Sequence, residues 1–425
     1  MSQPTSGTHE RPKVVVVGGG FAGLSAVRQL SVADVDVLLL DRNSYTTFQP
    51  LLYQVATGGL NPGDVTYALR AFTSRYRNTR FRRAAVTKID VDARTVHVDE
   101  GDPVEYDYLV LCCGVTANHF GIPGAEEHSH TIYTRGAAID ARDLIVSALE
   151  DAAQGTLSAK EPVFVVVGGG ATGVEMAGTL AELRNGAVPV AYPELDASRV
   201  QVVLVEMSGE VLGPFHRKLR AYAARALRKR GIDLRLDTVV KEVRADSVVL
   251  QQRGSEPETL PAAVTIWATG VTPPSAVGDW GLPTGRGGRI ETDADLRVKG
   301  HPEIFAVGDV AVNPQAPVPQ LAQPAIQGGK HAGVQIRRLL AGASTEPFVY
   351  RNKGTMATIG RSDAVVELPL GLRMKGWPAW VAWLALHLVE LMGGRNRVAS
   401  MINLSVRYLS WPRSVNMVVG DHVDA

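Results

Sequence analysis

The chain has 425 residues, 45% of them hydrophobic and 20% charged, with 44 Lys and Arg against 43 Asp and Glu. That length holds two or three domains with substantial cores, and a net charge of +1 lacks the electrostatic footprint of a nucleic-acid binder, so no nucleic-acid partner is expected. The two cysteines are neighbours, Cys112 and Cys113, which excludes a disulfide scaffold and a cysteine-rich metal site and fits a reducing compartment.

Met1–Pro12 is polar, shows no basic start followed by an apolar core, and reads as a loose tail. Val14–Val17 is a run of four β-branched residues, the pattern of a strand buried on both faces. Gly18, Gly20 and Gly23 then turn the chain tightly into a helix beginning near Ala22, leaving backbone N–H groups at the positive end of a helix dipole for a pyrophosphate. A second apolar run, Val35–Leu40, ends in Asp41, placed to bond a ribose; strand, turn, helix, strand and acid in that order read as a dinucleotide site.

The stretch from Ser44 to Leu60 is neither helical nor alternating, and reads either as a loop walling a cofactor ring or as a packed surface excursion. Phe81–Asp90 and Thr95–Asp99 read as antiparallel strands, and Val104–Leu111 as another strand running into Cys112-Cys113-Gly114. The first pattern then recurs about 150 residues on. Val163–Val167 precedes Gly168, Gly170, Thr172 and Gly173, a helix follows from Val174 to about Arg184, and the strand Val200–Val205 ends in Glu206. Met207, Ser208 and Gly209 bring no arginine for a 2′-phosphate, and a carboxylate there repels one, so NADH is expected over NADPH. Glu175 lies at the start of the second helix, near the expected nicotinamide, where it equally serves the helix dipole.

Leu219–Arg230 reads as a basic helix stopped by Gly231, and Val264–Trp267 as a strand running into Ala268-Thr269-Gly270. Ile304–Val310 is a buried strand ending at Gly308-Asp309, where the aspartate either bonds a sugar-alcohol chain or caps a helix. The stretch Leu321–His331 starts a helix, Pro324 suiting its first turn, and Gln323 and Gln327 lie four apart, near one face. From Arg373 to Arg413 the chain carries Trp377, Trp380, Trp383 and Trp411, and six arginines and lysines against Glu390. Ala379–Met392 is helical but too short to span a bilayer, and beyond Gly393-Gly394 a second helix sets Val398, Met401, Ile402, Val406 and Leu409 along one stripe. Such helices suit an interfacial membrane anchor; docking on the protein's own core and a dimer contact are the other uses of that stripe.

These residues resemble the type II NADH:quinone oxidoreductases over nearly the whole chain, from Val14 to about Trp411. The resemblance rests on both glycine turns, Phe48–Leu60, Ala268-Thr269-Gly270, Val307-Gly308-Asp309, the segment Lys353–Arg361 and above all Ala322-Gln323-Pro324-Ala325-Ile326-Gln327. It implies an α/β chain with two Rossmann-like dinucleotide-binding domains and a C-terminal amphipathic membrane-anchoring region. The boundaries expected are a tail at 1–12, an FAD domain at 13–125 and 290–348, an NADH domain at 126–289 and the C-terminal region at 349–425. It further implies non-covalent FAD on Gly18, Gly20, Phe21, Ala22, Gly23, Asp41, Arg42, Gln49, Val86, Gly114, Gly308, Asp309, Ala322 and Gln323. NADH would lie on Gly168, Gly170, Thr172, Gly173, Glu175, Glu206 and Gly270, and a membrane quinone at Gln323 and Gln327 with Lys375 at its entrance. Glu175, Gln323 and Gln327 are the expected catalytic residues. The protein would be peripheral on the cytoplasmic face of the cell membrane, without proton pumping, with a homodimer as a further expectation. Where the family commonly has Ala-Thr-Gly, this chain has Cys112-Cys113-Gly114 and lacks the threonine hydroxyl. Disulfide and sulfide:quinone reductases share the double fold but need separated redox cysteines; ferredoxin-type reductases and a nucleotide-sensing protein without turnover are the remaining alternatives.

Overall fold

The computed structural model describes residues 11–156 and 161–410. Most of the expected tail, together with Trp411 and Arg413, lies outside the described residues. In chain order, the elements that place the sites are β1 (Lys13–Val17), α1 (Phe21–Leu30), β2 (Asp36–Asp41), β3 (Thr79–Arg83), β4 (Tyr108–Leu111), β5 (Val163–Val167), α2 (Ala171–Glu182), β6 (Gln201–Val205), α3 (Arg217–Lys229), β7 (Asp233–Arg235) and β8 (Val264–Trp267). They continue with β9 (Arg297–Val298), β10 (His301–Ala306), α4 (Ala322–Leu340), β11 (Thr355–Gly360), β12 (Asp363–Glu367), β13 (Arg373–Gly376), α5 (Trp377–Glu390) and α6 (Gly394–Ser410).

The chain forms two compact units. The first is Met1–Thr46, Tyr67–Thr116 and Val271–Asn352. Its sheet runs β9-β10-β4-β1-β2-β3, parallel throughout except for the β9 edge. Val14 and Val16 are fully buried and pair in register with Val37 and Leu39, as a two-faced parallel strand requires. The stretch expected as one antiparallel strand, Phe81–Asp90, is two. Thr79–Arg83 extends the parallel sheet, and Val86–Asp90 pairs antiparallel with Thr95–Val98. The ladder changes partners at Ala84 and Ala85, whose N–H groups donate to the Asp41 carbonyl and the Asp99 carboxylate, each at 2.9 Å.

The second unit is Thr47–Thr66, Ala117–Gly270 and Lys353–Ala425. Its parallel sheet runs β7-β6-β5-β8, and β11, β12 and β13 form a separate antiparallel sheet. The C-terminal sheet packs on α2. A Cβ at Gly178 would stand 2.5 Å from the Ile359 carbonyl oxygen, so only glycine lets strand β11 lie directly on the helix. The 47–66 segment also belongs to this unit and contains a short helix, Leu52–Val55, all four residues buried.

Helix α6 turns a mixed face inward, with Ser400 and Leu404 buried. Asn396 donates to the Thr66 carbonyl at 2.5 Å and Asn403 to the Asp64 carboxylate at 2.6 Å, while Val398, Met401, Ile402 and Val406 are 48–54% exposed. These four members of the apolar stripe read from the sequence face away from the protein's own core, and the side chain of the fifth, Leu409, lies outside the described residues. Among the described residues no helix is long and apolar enough to cross a membrane.

Candidate functional site

In the first unit β1 runs straight into the glycine turn. Gly18 has φ +104°, and a Cβ there would stand 2.3 Å from the Cys112 carbonyl oxygen. Gly23 packs against the Gly18 carbonyl, and around Gly20 the space is open. Helix α1 begins at Phe21 with Gly20 as its N-cap and no side-chain cap, so its first turn faces outward as an anion cradle. The Gly19 N–H donates to Asp41 Oδ2 at 2.7 Å and the Asn43 N–H to Oδ1 at 2.7 Å. Burial pushes the Asp41 carboxyl up, opposed by these two bonds and by neighbouring Arg42, which is exposed. Each oxygen keeps a lone pair for a ribose hydroxyl.

Helix α4 crosses α1 closely enough to bring Gly308-Asp309 to the same place. A Cβ at Gly308 would lie 3.3 Å from the Ala22 Cβ and 3.4 Å from the Ala325 Cβ. Asp309 Oδ1 is buried without a hydrogen-bond partner, and burial pushes its carboxyl up to about 6 against the pull of Arg289. Gln323 Oε1, in the first turn of α4 beside Ala322, is likewise buried without a partner. Buried acceptors require donors. A phosphate at an uncapped helix start and a polyhydroxyl chain against Asp309 are what these residues fit, which is the chemistry of a flavin dinucleotide. Gly114 follows the end of β4. Val86 is part of the antiparallel sheet packed on the unit's core, and Gln49 lies in the other unit, its Nε2 3.4 Å from the Tyr133 carbonyl.

The two cysteines sit just past β4 rather than on it. Cys112 Sγ donates to the Gly18 carbonyl at 3.4 Å, beneath the glycine turn, and both cysteines are free. Burial raises the Cys112 thiol well above its ordinary value and pushes Cys113 up to about 12. Both stay thiols at neutral pH and supply no reactive thiolate.

The second unit repeats the construction. Gly168 has φ +111°, Gly173 packs on its carbonyl, and Gly170 caps α2 without a side-chain bond, with Thr172 in the first turn. The Gly169 N–H donates to Glu206 Oε2 at 2.6 Å, and the Ser208 N–H and hydroxyl donate to Oε1 at 2.7 and 2.8 Å. In both units the middle glycine of the run clips the acid in place. Motif spacing names only the outer glycines, so Gly19, Gly169 and Ser208 were missed; the third glycine in each run was the available signal. Gly270 follows β8 and packs under the Phe120 ring.

Glu175 sits in the second turn of α2, only 9% exposed, and its Oε1 accepts the Thr358 N–H at 3.2 Å from β11. Burial pushes its carboxyl up to about 8, opposed by Thr358 and by the Trp383 side chain. Trp383 is fully buried, stacks on His387 with centroids 4.0 Å apart, and lies 6.2 Å from the Tyr53 ring. His387 Nδ1 lies 2.7 Å from the Trp383 carbonyl, and burial lowers its imidazole to about 4, so the ring is neutral. The 44–60 stretch thus provides buried aromatic packing for α5. Neither Thr358 nor Trp383 was legible as a neighbour of Glu175 from sequence spacing.

The two glutamines of α4 differ. Gln327 Nε2 donates to the Arg351 carbonyl and its Oε1 accepts the Arg351 N–H, both at 3.0 Å, so its amide clips the irregular segment that follows the helix. Gln323 has no such clip. Lys375 is exposed in the other unit, its Nζ 5.1 Å over the Tyr222 ring.

Residues 12–329 match the pyridine nucleotide-disulphide oxidoreductase family, and residues 352–410 match the NDH2 C-terminal domain. The chain is 36% identical to the type II NADH:quinone oxidoreductase NdhA of Mycobacterium tuberculosis, over 95% of this chain and 88% of that protein. It is 31% identical to the type II NADH:quinone oxidoreductase of Staphylococcus epidermidis, over 84% of this chain and 89% of that one. The fold is similar to that of NDH2 from Plasmodium falciparum solved with NADH, with a TM-score of 0.88 at 19% identity, covering 96% of this chain and all of the other. Two glycine turns, each closed on its own acid, a neutral buried glutamate, and a C-terminal domain matched over its described length lead to one assignment: the chain belongs to the type II NADH:quinone oxidoreductases.

Proposed function

We propose the following division of labour for NADH-to-quinone electron transfer. NADH takes the second glycine turn, Gly168–Gly173, with Glu206 on its adenosine ribose. FAD takes the first, Gly18–Gly23, with Asp41 on its ribose and Asp309 on its ribityl hydroxyls. When bound, FAD supplies the two-electron chemistry, from hydride donor to quinone. The chain's residues bind and orient the partners and hold the proton. Glu175, neutral up to about pH 8, holds a proton on the NADH-binding unit for quinone reduction. Gln323 is the quinone-side amide, supported by its uncommitted buried oxygen; Gln327 supports it by clipping the chain at Arg351.

The C-terminal helices rest on the membrane as a peripheral anchor. The supporting observation is α6, which bonds its host through asparagines, buries Leu404, and presents Val398, Met401, Ile402 and Val406 outward. We place that membrane face on the cytoplasmic side, in keeping with two cysteines held as thiols. A second copy of the chain is the other occupant of the same stripe, and vesicle binding by a monomeric fraction separates the two.

The observation that carries the reading is the paired construction of glycine turn and clipped acid in the two units. Anaerobic NADH should bleach the flavin, and a soluble quinone should restore its colour. Bleaching without restoration by quinone overturns the quinone assignment.

A further inference from the structure

Helix α3 carries Arg217, Lys218, Arg225, Arg228 and Lys229, all exposed, and no acidic residue. Arg228 and Lys229 suit the negative end of the dipole in the last turn, but the rest of the arrangement works against the helix. Arg217 and Lys218 stand in the first turn, at the positive end of the dipole, and Arg225 and Lys229 repel each other four residues apart. The acids around α3 are already engaged. Glu210 pairs with Arg220 at 2.5 Å, Asp363 with Arg230 at 3.1 Å, and Glu367 with Arg373 at 3.1 Å. A cluster of cations that in part opposes its own helix, and that no ion pair among the described residues neutralises, suits a negatively charged surface outside the chain.

The position of α3 says which surface. Its Tyr222 hydroxyl donates to Asp363 at 2.8 Å, its ring lies under Lys375, and a Cβ at Gly376 would stand 3.4 Å from that hydroxyl. Gly376 is the N-cap of α5, whose first residue, Trp377, is 61% exposed. Lys218, Arg225 and Lys229, at four before, three after and seven after Tyr222, share its side of the helix. A cationic stripe therefore starts where the exposed apolar helix starts, within the same compact unit.

We propose that the basic face of α3 is part of the membrane-docking surface and binds the phosphate headgroups of anionic lipid. This rests on the membrane reading above and extends the contact from the C-terminal helices to α3 of the same unit. Cations held near an anionic bilayer strengthen binding by about five-fold each and lose that effect as salt rises.

The test is co-sedimentation of the FAD-loaded enzyme with vesicles of phosphatidylcholine alone and of phosphatidylcholine with phosphatidylglycerol. The variant Lys218→Gln/Arg225→Gln/Lys229→Gln is run beside wild type, and its reduction of a soluble quinone by NADH confirms that it folds. Wild type should prefer the anionic vesicles, and the triple variant should lose on the order of 100-fold of that binding while matching wild type on neutral ones. High salt should erase the difference between the two proteins. If the triple variant binds anionic vesicles as wild type does, or if wild type binds both vesicles equally, α3 is not a docking element and the C-terminal anchor stands alone. If wild type binds neither vesicle, the membrane reading itself fails.

Discussion

Replacing Glu175 by glutamine removes a titrating proton and little else, since a Gln oxygen can still accept the Thr358 N–H. The carboxyl titrates near 8 in the folded chain against an ordinary 4.5. Below pH 4.5 both folded and unfolded chains hold the proton, and the shift has no effect on stability. As pH rises through the window from 4.5 to 8 the unfolded chain releases the proton while the folded chain keeps it, so the wild type loses stability, fully by pH 8. At 1.36 kcal/mol per unit, the portion between pH 6 and 8 amounts to about 2–3 kcal/mol. Glu175→Gln has no such loss. Its advantage over wild type should therefore grow by about 2–3 kcal/mol between pH 6 and pH 9, read from paired denaturant midpoints at each pH. The same variant should accept hydride from NADH normally and reduce quinone slowly, because it has no proton to give. A stability gap that stays constant with pH would mean that Glu175 is already ionised at neutrality, and the proton-holding role would fall with it.

Asp309→Ala removes the buried acceptor left for the ribityl chain, a charged hydrogen bond of about 1.5–3 kcal/mol, so FAD affinity should fall on the order of 10- to 100-fold in equilibrium flavin titrations. Glu206→Gln removes the negative charge facing a 2′-phosphate and should raise the NADPH-to-NADH ratio of kcat/KM by about tenfold. Gln323→Ala should slow flavin reoxidation by quinone while leaving bleaching by NADH intact in stopped flow. Gln327→Ala should show first as a stability loss of about 1–2 kcal/mol, two partly exposed hydrogen bonds to Arg351, because its amide is already committed there.

Both dinucleotide seats were legible in the sequence because each depends on local backbone geometry. A tight turn, a buried strand and an acid at the next strand end leave marks at fixed offsets, and the structure adds only that the middle glycine holds the acid. What depends on distant pairing was not legible. Nothing in α2 announces that Gly178 meets Ile359, 181 residues on, so the packing of the C-terminal sheet on that helix leaves no mark in the sequence. Gln327 and Arg351 are 24 residues apart and carry no shared pattern, so two glutamines of one helix face read as equivalent. Phe81–Asp90 kept one hydrophobic rhythm across a change of sheet, which periodicity cannot detect. The α6 stripe follows from helical spacing, yet its direction is fixed by two asparagines reaching Asp64 and Thr66, residues more than 300 positions away.

That direction bears on how tightly the protein can be held at a bilayer. Val398, Met401, Ile402 and Val406 are about half exposed, so each has roughly half of a side chain's 1.5–3 kcal/mol of burial still to gain. Four such residues yield on the order of 3–6 kcal/mol, which corresponds to binding in the millimolar to tens-of-micromolar range. Trp377, Leu386 and Val389 on α5 add more of the same kind. An apolar insertion of this size is reversible on its own, and stable anchoring of a non-spanning protein takes a second signal. The exposed cations of α3, joined to the start of α5 through Tyr222 and Gly376, are the feature within the same unit that has the charge and the position to supply it.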